Sequence, residues 1–360
     1  MAGLRIDVIS QLDYPVAEPF PGGAQHHTYS LVRALRHRGH RVRLFAAEGS
    51  DPHLGAVCVG PATGPISRIP GRKASEAAAL AQFEAQGRII DMLRRDPPDI
   101  IHNDSRHELP VMLAHELAAP MLTALHAPPC PVLDQAVAER QWPEMPFVAL
   151  SGTVARAWEG RLGAVPVLPG GIDLEVFQPA LLRPSGTHAL WCGPVGPGQG
   201  VLMALQAALI AGLPLLIAGP ITDLGFWNDR IRPRLRNGSR HLGQLDPRGL
   251  ALAMSAAAVV VCTDRPSDAY GLSAARALAC GTPVAGFAQG PLPSLVNEVS
   301  GRLAPPGDVA ALARSIQGAA VLRRMDCRRR AEQVCDIRLR AGQYEAAYRT
   351  AITRHRTPAA

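Results

Sequence analysis

Lysine is nearly absent: Lys73 is the only one in 360 residues, which leaves 36 of the 37 Lys and Arg side chains as arginine. A phosphate-binding P-loop needs a lysine that reaches the β- and γ-phosphates, whereas Lys73 stands in Gly71-Arg72-Lys73-Ala74. P-loop kinase and ATPase chemistry is therefore excluded, and Schiff-base or pyridoxal-phosphate chemistry would rest on this one loop-borne lysine. The arginine excess itself reads as a coding bias. Aromatic residues make up 4% of the chain. Basic stretches are thus not interleaved with rings on which bases stack, and no nucleic-acid partner is expected.

Cys-x-x-Cys pairs are missing too. The seven cysteines (58, 130, 192, 262, 280, 327 and 335) are odd in number, which fits a reduced cytoplasm better than a secreted disulfide framework. No run spans a membrane: Val201 to Gly219 is interrupted by Gln206 and by Gly212-Leu213-Pro214 and reads as a helix followed by a strand. Arg5 and Asp7 break the apolar region that a signal peptide would need. The expected location is cytoplasmic.

What is present is the material of a sizeable core. Hydrophobic residues make up 47% and charged residues 19%, with 34 glycines and 33 prolines scattered along the chain, a globular composition with room for about two to three domains. Leu4–Ser10 reads as a strand, residues 24–38 as a helix with Leu31, Val32 and Leu35 on one face, and Val42–Ala46 as the next strand. The alternation continues through helices at Ser75–Arg95, Leu109–Leu117 and Thr153–Leu162 and strands at Asp99–His102, Met121–His126, Phe147–Leu150 and Val165–Leu168. A second series starts at His188–Cys192. It runs through Val201–Ala211, Leu215–Ala218, Arg240–Leu242, Leu250–Ser255, Ala258–Cys262, Gly271–Cys280 and Pro283–Gly286. Strand and helix in regular alternation imply parallel sheets with right-handed crossovers. The expectation is α/β: a first domain over 1–178, a linker at 179–187, a second domain over 188–336, and a helix at about 337–356 packing back on the first. Two doubly wound domains then face each other across a cleft, with ligands at the C-terminal ends of the strands.

Several site patterns fail. His115-Glu116-Leu117-Ala118-Ala119 lacks the second histidine of a zinc-protease helix, Gly271-Leu272-Ser273-Ala274-Ala275 is no nucleophile elbow, and no Asp-x-Asp is present. The pairs His26/His27 and His37/His40 read as surface histidines, and no metal site is expected. Arg33, Arg36, Arg38, Arg41 and Arg43 form one basic strip, and Arg323, Arg324, Arg328, Arg329 and Arg330 another. They read as solvated helix faces, with peripheral contact to an anionic membrane surface as the alternative.

Two glycine-rich turns carry more. Pro21-Gly22-Gly23-Ala24 lies between the first strand and first helix, and Gly193-Pro194-Val195-Gly196-Pro197-Gly198-Gln199-Gly200 occupies the same place in the second series. Backbone N–H groups at such helix starts favour an anion, and two turns of this kind suit a diphosphate. The most specific stretch is Ser267-Asp268-Ala269-Tyr270-Gly271-Leu272-Ser273-Ala274-Ala275-Arg276-Ala277-Leu278-Ala279-Cys280-Gly281-Thr282-Pro283-Val284. With Gly22-Gly23, Asp99-Ile100-Ile101-His102, Leu125-His126, Gly170-Gly171-Ile172-Asp173 and Leu242-Gly243, it resembles the retaining glycosyltransferases of family 4. That pattern is Glu-x-Phe-Gly-Leu, three residues, then Glu-Ala-Met-Ala-x-Gly-x-Pro-Val, and the ordered matches run from Leu4 to about Tyr348.

The resemblance implies the GT-B fold of two Rossmann-like domains and metal-independent, cofactor-free transfer of a sugar from a nucleotide-sugar donor to a small-molecule, glycan or lipid-linked acceptor. His126 and Asp268 take the catalytic positions. Gly22, Gly23, Gly193, Gln199, Gly243, Leu245, Tyr270, Gly271, Leu272 and Arg276 take donor-binding ones. His102 and Trp142 fall on the acceptor side, where loops 11–21, 50–75 and 127–145 are the variable elements and Trp142, Pro143 and Met145 offer an apolar wall. Departures are concentrated at the diphosphate. The family's Arg and Lys are Pro194 and Gln199 here, and its second glutamate is Arg276, which can only donate hydrogen bonds. Arg265 and Arg276 are the cations nearest in sequence to replace them. A catalytically impaired nucleotide- or phosphosugar-binding scaffold is the alternative to an enzyme, and oligomeric state stays open.

Overall fold

The computed structural model describes residues 3–66, 69, 71–179, 186–263 and 270–356. They form two compact units, one of residues 1–171 and 337–360, the other of 172–336. The first holds a sheet of β1 (Arg5–Ile9), β2 (Arg41–Ala46), β3 (Ala56–Cys58), β4 (Ile100–Asn103), β5 (Met121–Leu125) and β6 (Phe147–Ala149), in the order β3-β2-β1-β4-β5-β6. The second holds β7 (Ala189–Cys192), β8 (Leu215–Ala218), β9 (Arg240–Gly243), β10 (Val259–Cys262), β11 (Val284–Phe287) and β12 (Gly301–Ala304), in the order β12-β11-β10-β7-β8-β9. Every ladder is parallel, and the two orders are the same topology shifted by six strands.

Parallel strands covered on both faces need continuous apolar runs rather than alternation. Met121–Leu125, Leu215–Ala218, Val259–Cys262 and Val284–Phe287 are accordingly buried at every position. In each unit the chain order reverses beside the first strand, between β1 and β4 and between β7 and β10. Crevices at the C-terminal ends of the strands open at such switch points.

The Ile337–Arg356 helix belongs to the first unit. Glu345 takes Arg38 at 2.7 Å and Arg349 at 2.8 Å, and Tyr344 Oη donates to Leu168 O at 2.8 Å. Residues 172–178, expected in the first domain, lie in the second unit. Ile172 donates its N–H to Cys335 O at 2.6 Å and Phe177 is buried in that unit's core, because the apolar segment pairs with the chain just before it returns at 337. Of the expected linker, 180–185 lies outside the described residues. The expected strand Val165–Leu168 is reduced to one bridge, Ala149 to Val167. The Leu109–Leu117 helix shortens to Glu108–Met112 followed by a turn of 3-10 helix. Among the described residues no helix is long and apolar enough to cross a membrane.

Candidate functional site

β4 is buried on both faces and ends at the switch point, where the Asp104 N–H continues the ladder to Ile9 O at 2.9 Å. The Asp104 side chain is fully buried. Its Oδ1 accepts from His126 Nε2 at 2.8 Å and from His102 Nε2 at 3.1 Å, and its Oδ2 accepts from Thr28 Oγ1 at 2.8 Å. Burial alone would push this carboxyl up, but His102, His126 and His27 hold it well below the usual carboxylate range. A buried carboxylate that accepts three hydrogen bonds is held as the anion.

A neutral histidine with one nitrogen donating to a carboxylate has its other nitrogen as an acceptor. His126 follows β5 directly, and its Nδ1 makes no hydrogen bond among the described residues. It therefore offers a lone pair to a ligand hydroxyl. Packed behind it is His27, from the Gly23–His37 helix, with ring centroids 5.5 Å apart. His27 Nε2 is 3.9 Å from Asp104 Oδ1, and neither ring nitrogen has a hydrogen-bond partner. Burial pushes this imidazole down to about 3, so it is neutral.

His27, Asp104 and His126 put ligand atoms within 4.8 Å of one another and are, among the described residues, the group able to hold a metal ion. The Asp104 oxygens are already occupied by three donors. Asp104 with His102, His126 and Thr28 reads as a hydrogen-bonded network, against which His27 packs without a bond of its own. His26, His27 and His40, expected at the surface, are buried: the helix that carries the first two packs this side against the end of β4, and His40 Nδ1 accepts the Leu4 N–H.

The pocket beside this network is lined by Asn103, Arg106, His107, Thr123, His126 and Cys130, among others. His102 does not reach it. Fully buried, it bonds Asp104 and meets Tyr344 and Tyr348 edge-on at 5.4 and 5.7 Å, so it lies behind the site instead of against an acceptor. Trp142 is also outside the lining and packs on His355 at 5.4 Å, because the Trp142–Met145 turn lies under the end of the C-terminal helix. Pro131–Ala138 within loop 127–145 is helical.

Gly22 caps the first helix with an extended backbone, and a methyl group built on Gly23 would meet nothing within 4 Å. Neither left-handed geometry nor packing explains this pair, so the open face at the helix start stays available to a ligand.

In the second unit, the Gly193–Gly200 turn leaves β7, with Pro194 exposed and Gln199 half-buried. Gly200 has φ +81°, and a Cβ there would lie 2.4 Å from Thr263 Oγ1, which only glycine avoids. Gly271 (φ +64°) caps Leu272–Ala279 in the same way and leaves the Leu272 N–H at the helix start, beside buried Tyr270. Gly243 has φ +75° with open space about it, and Leu245 packs on the core. The Arg276 guanidinium lies over the Phe177 ring at 5.1 Å. Arg265 and Asp268 lie outside the described residues.

The sequence reading missed Asp104, Arg106 and His27. The signal available was a run of four polar residues, His102-Asn103-Asp104-Ser105, at the end of a buried strand, where nothing but a network can satisfy them.

The model of Glycosyltransferase Family 4 matches residues 21–176, and that of Glycosyl transferases group 1 matches residues 188–320. The phosphatidyl-myo-inositol mannosyltransferase of Mycobacterium leprae is 27% identical over 337 residues, 86% of each chain. The D-inositol 3-phosphate glycosyltransferase of Mycolicibacterium smegmatis is 27% identical over 354 residues, 85% of this chain and 81% of the relative. Among solved structures, the sucrose-phosphate synthase of Thermosynechococcus elongatus superposes with TM-score 0.75 at 22% identity, covering 97% of this chain and 99% of the other. Anabaena HepE, solved with UDP and glucose, gives 0.72 at 17% identity, covering 96% and 100%.

Proposed function

The chain belongs to the GT-B glycosyltransferases, with a family 4 first unit, and we propose that it transfers a sugar, with retention and without a metal, from a nucleotide-sugar donor to a phosphorylated polyol. The observation that carries this reading is the His126–Asp104 hydrogen bond. It turns Nε2 toward Asp104 and leaves Nδ1, in the neutral ring, to accept from a hydroxyl at the end of β5.

Departure of a nucleoside diphosphate develops negative charge, which pre-aligned N–H donors stabilise. In the Gly193–Gly200 turn the N–H groups of Gly193, Val195 and Gln199 already bond the carbonyls of Ala218, Pro220 and Gly196, and it is the Gly271–Leu272 helix start that supplies such donors in the second unit. Pro194 and Gln199 are neutral, so these backbone donors carry more of the stabilisation than in a site with two cations. Asp268 takes the position that binds sugar hydroxyls. The acceptor class is taken from two relatives whose names place inositol phosphates or a phosphatidyl-inositol among their substrates.

The test is incubation of the full chain with a panel of nucleotide sugars and myo-inositol 1-phosphate, with NMR assignment of the anomer. Transfer with the donor's anomeric configuration kept supports the reading. Absence of transfer, of donor hydrolysis and of donor binding across the panel overturns it.

A further inference from the structure

The turn after β4 is held by its own side chains. Asn103 Oδ1 accepts from Ser105 N at 3.1 Å and from Ser105 Oγ at 2.7 Å, Asn103 Nδ2 donates to Thr123 Oγ1 at 3.2 Å, and the His107 N–H donates to Ser105 Oγ at 3.2 Å. Inside this frame Arg106 has φ +60°. Among the described residues, the other non-glycine residue at positive φ is Asn237, a type that tolerates this region, whereas arginine is disfavoured there. A turn alone would be better served by glycine or asparagine. The Arg106 side chain is exposed and makes no hydrogen bond or ion pair among the described residues. Such an outlier points toward a ligand.

The free polar groups of the pocket define that ligand. Asn103 and Thr123 bond each other, and Asn103 also holds Ser105. His107 Nδ1 accepts the Leu109 N–H at 3.1 Å, which places its proton on Nε2 as a donor. His126 contributes Nδ1 as an acceptor. Two donor groups, one a permanent cation, stand beside this acceptor for a hydroxyl.

We propose that Arg106 and His107 form an oxyanion subsite that binds the phosphate of a phosphorylated acceptor whose hydroxyl lies toward His126. This rests on the transferase reading and assigns its acceptor specificity to Arg106. A guanidinium grips phosphate through paired N–H donors.

The experiment is calorimetric titration of the full chain with inorganic phosphate, myo-inositol, myo-inositol 1-phosphate and, separately, UDP and GDP. Arg106→Gly and Arg106→Asn both suit φ +60°, so their melting temperatures should equal or exceed that of the parent chain. Expected is a preference of the parent for the phosphorylated inositol, at least a tenfold loss of that affinity in both variants, and unchanged nucleotide binding. Equal binding of inositol and its phosphate by the parent overturns the subsite, as does unchanged phosphate affinity in both variants. A loss confined to UDP and GDP moves Arg106 to the donor and overturns the acceptor assignment. Failure of transfer from every nucleotide sugar, with Arg106-dependent phosphate binding intact, sinks the transferase reading and not the subsite.

Discussion

His126 Nε2 lies 2.8 Å from Asp104 Oδ1, and the two side chains come from the ends of neighbouring strands, 22 residues apart in sequence. Asp104 is fully buried and outside the pocket lining, so in the proposed reaction its part is to position His126. Replacing it with Asn offers an amide NH2 to histidines that need an acceptor, so His126 turns or changes tautomer. Asp104→Asn is expected to lower kcat/KM by about 10–100-fold, the usual scale for losing a partner that orients a working histidine. A folded variant with unchanged kcat/KM and an unchanged pH profile would show that the hydrogen bond has no part in the reaction.

His27 is neutral in the folded chain, lowered to about 3 by burial, and protonates near 6.5 once unfolded. Between these values the unfolded state binds more protons, so stability rises with pH through this window and is lost as pH falls below about 6.5. Asp104, held well below its ordinary range, adds a second loss, in the same direction, as pH falls below about 4. Replacing His27 with Phe removes the upper loss. The parent should lose about 2 kcal/mol between pH 7 and 5 through this one group, and the variant should show a flatter curve there in urea denaturation.

The sheets were legible because strands buried on both faces are written as unbroken apolar runs, as at Leu215–Ala218. The polar network was not. Thr28 and Asp104 are 76 residues apart, and helical periodicity scores Gln25, His26, His27 and Thr28 as an exposed polar turn, although all four are buried and the last two meet Asp104. Periodicity sees an apolar stripe and has no term for a threonine held by one distant carboxylate. Arg106 was invisible for another reason: its significance is a backbone angle inside the frame of Asn103 and Ser105, and residue type alone does not announce φ +60°. The basic strips were misread in part. Exposed Arg36 donates to Val42 O and Leu54 O, and half-buried Arg324 to Ala257 O and Ser255 O, so these guanidiniums staple backbone as well as meet solvent.

Gly23 separates fold from function. A methyl group there meets nothing, and at this first helical position alanine costs no more than glycine, the preference of about 0.5–1 kcal/mol for alanine belonging to helix interiors. Gly23→Ala should therefore melt at or slightly above the parent temperature and still weaken nucleotide-sugar affinity at least about tenfold, if donor phosphates approach this backbone. Titration of both proteins with the preferred donor decides it. Unchanged affinity would remove the phosphates from this helix start.

The scarcity of lysine has a structural counterpart at Arg328. One guanidinium donates to Phe177 O at 2.9 Å and Ala279 O at 2.8 Å through Nη1 and to Glu332 through Nε at 2.8 Å, with the side chain only 16% exposed. These contacts fasten the Arg324–Val334 helix to the Phe177 segment and to the end of the Leu272–Ala279 helix. A lysine carries its charge on one rotating ammonium and cannot reproduce the planar fork. Arg328→Lys should lower stability by about 1.5–3 kcal/mol, the range for hydrogen bonds to a charged group whose carbonyl partners are then left short of a donor. Arg329→Lys is the control. That side chain is 64% exposed and, among the described residues, pairs only with Asp326, so its replacement should cost less than about 0.5 kcal/mol. Equal denaturation midpoints for the two variants would mean that arginine at 328 is a coding accident rather than a structural requirement.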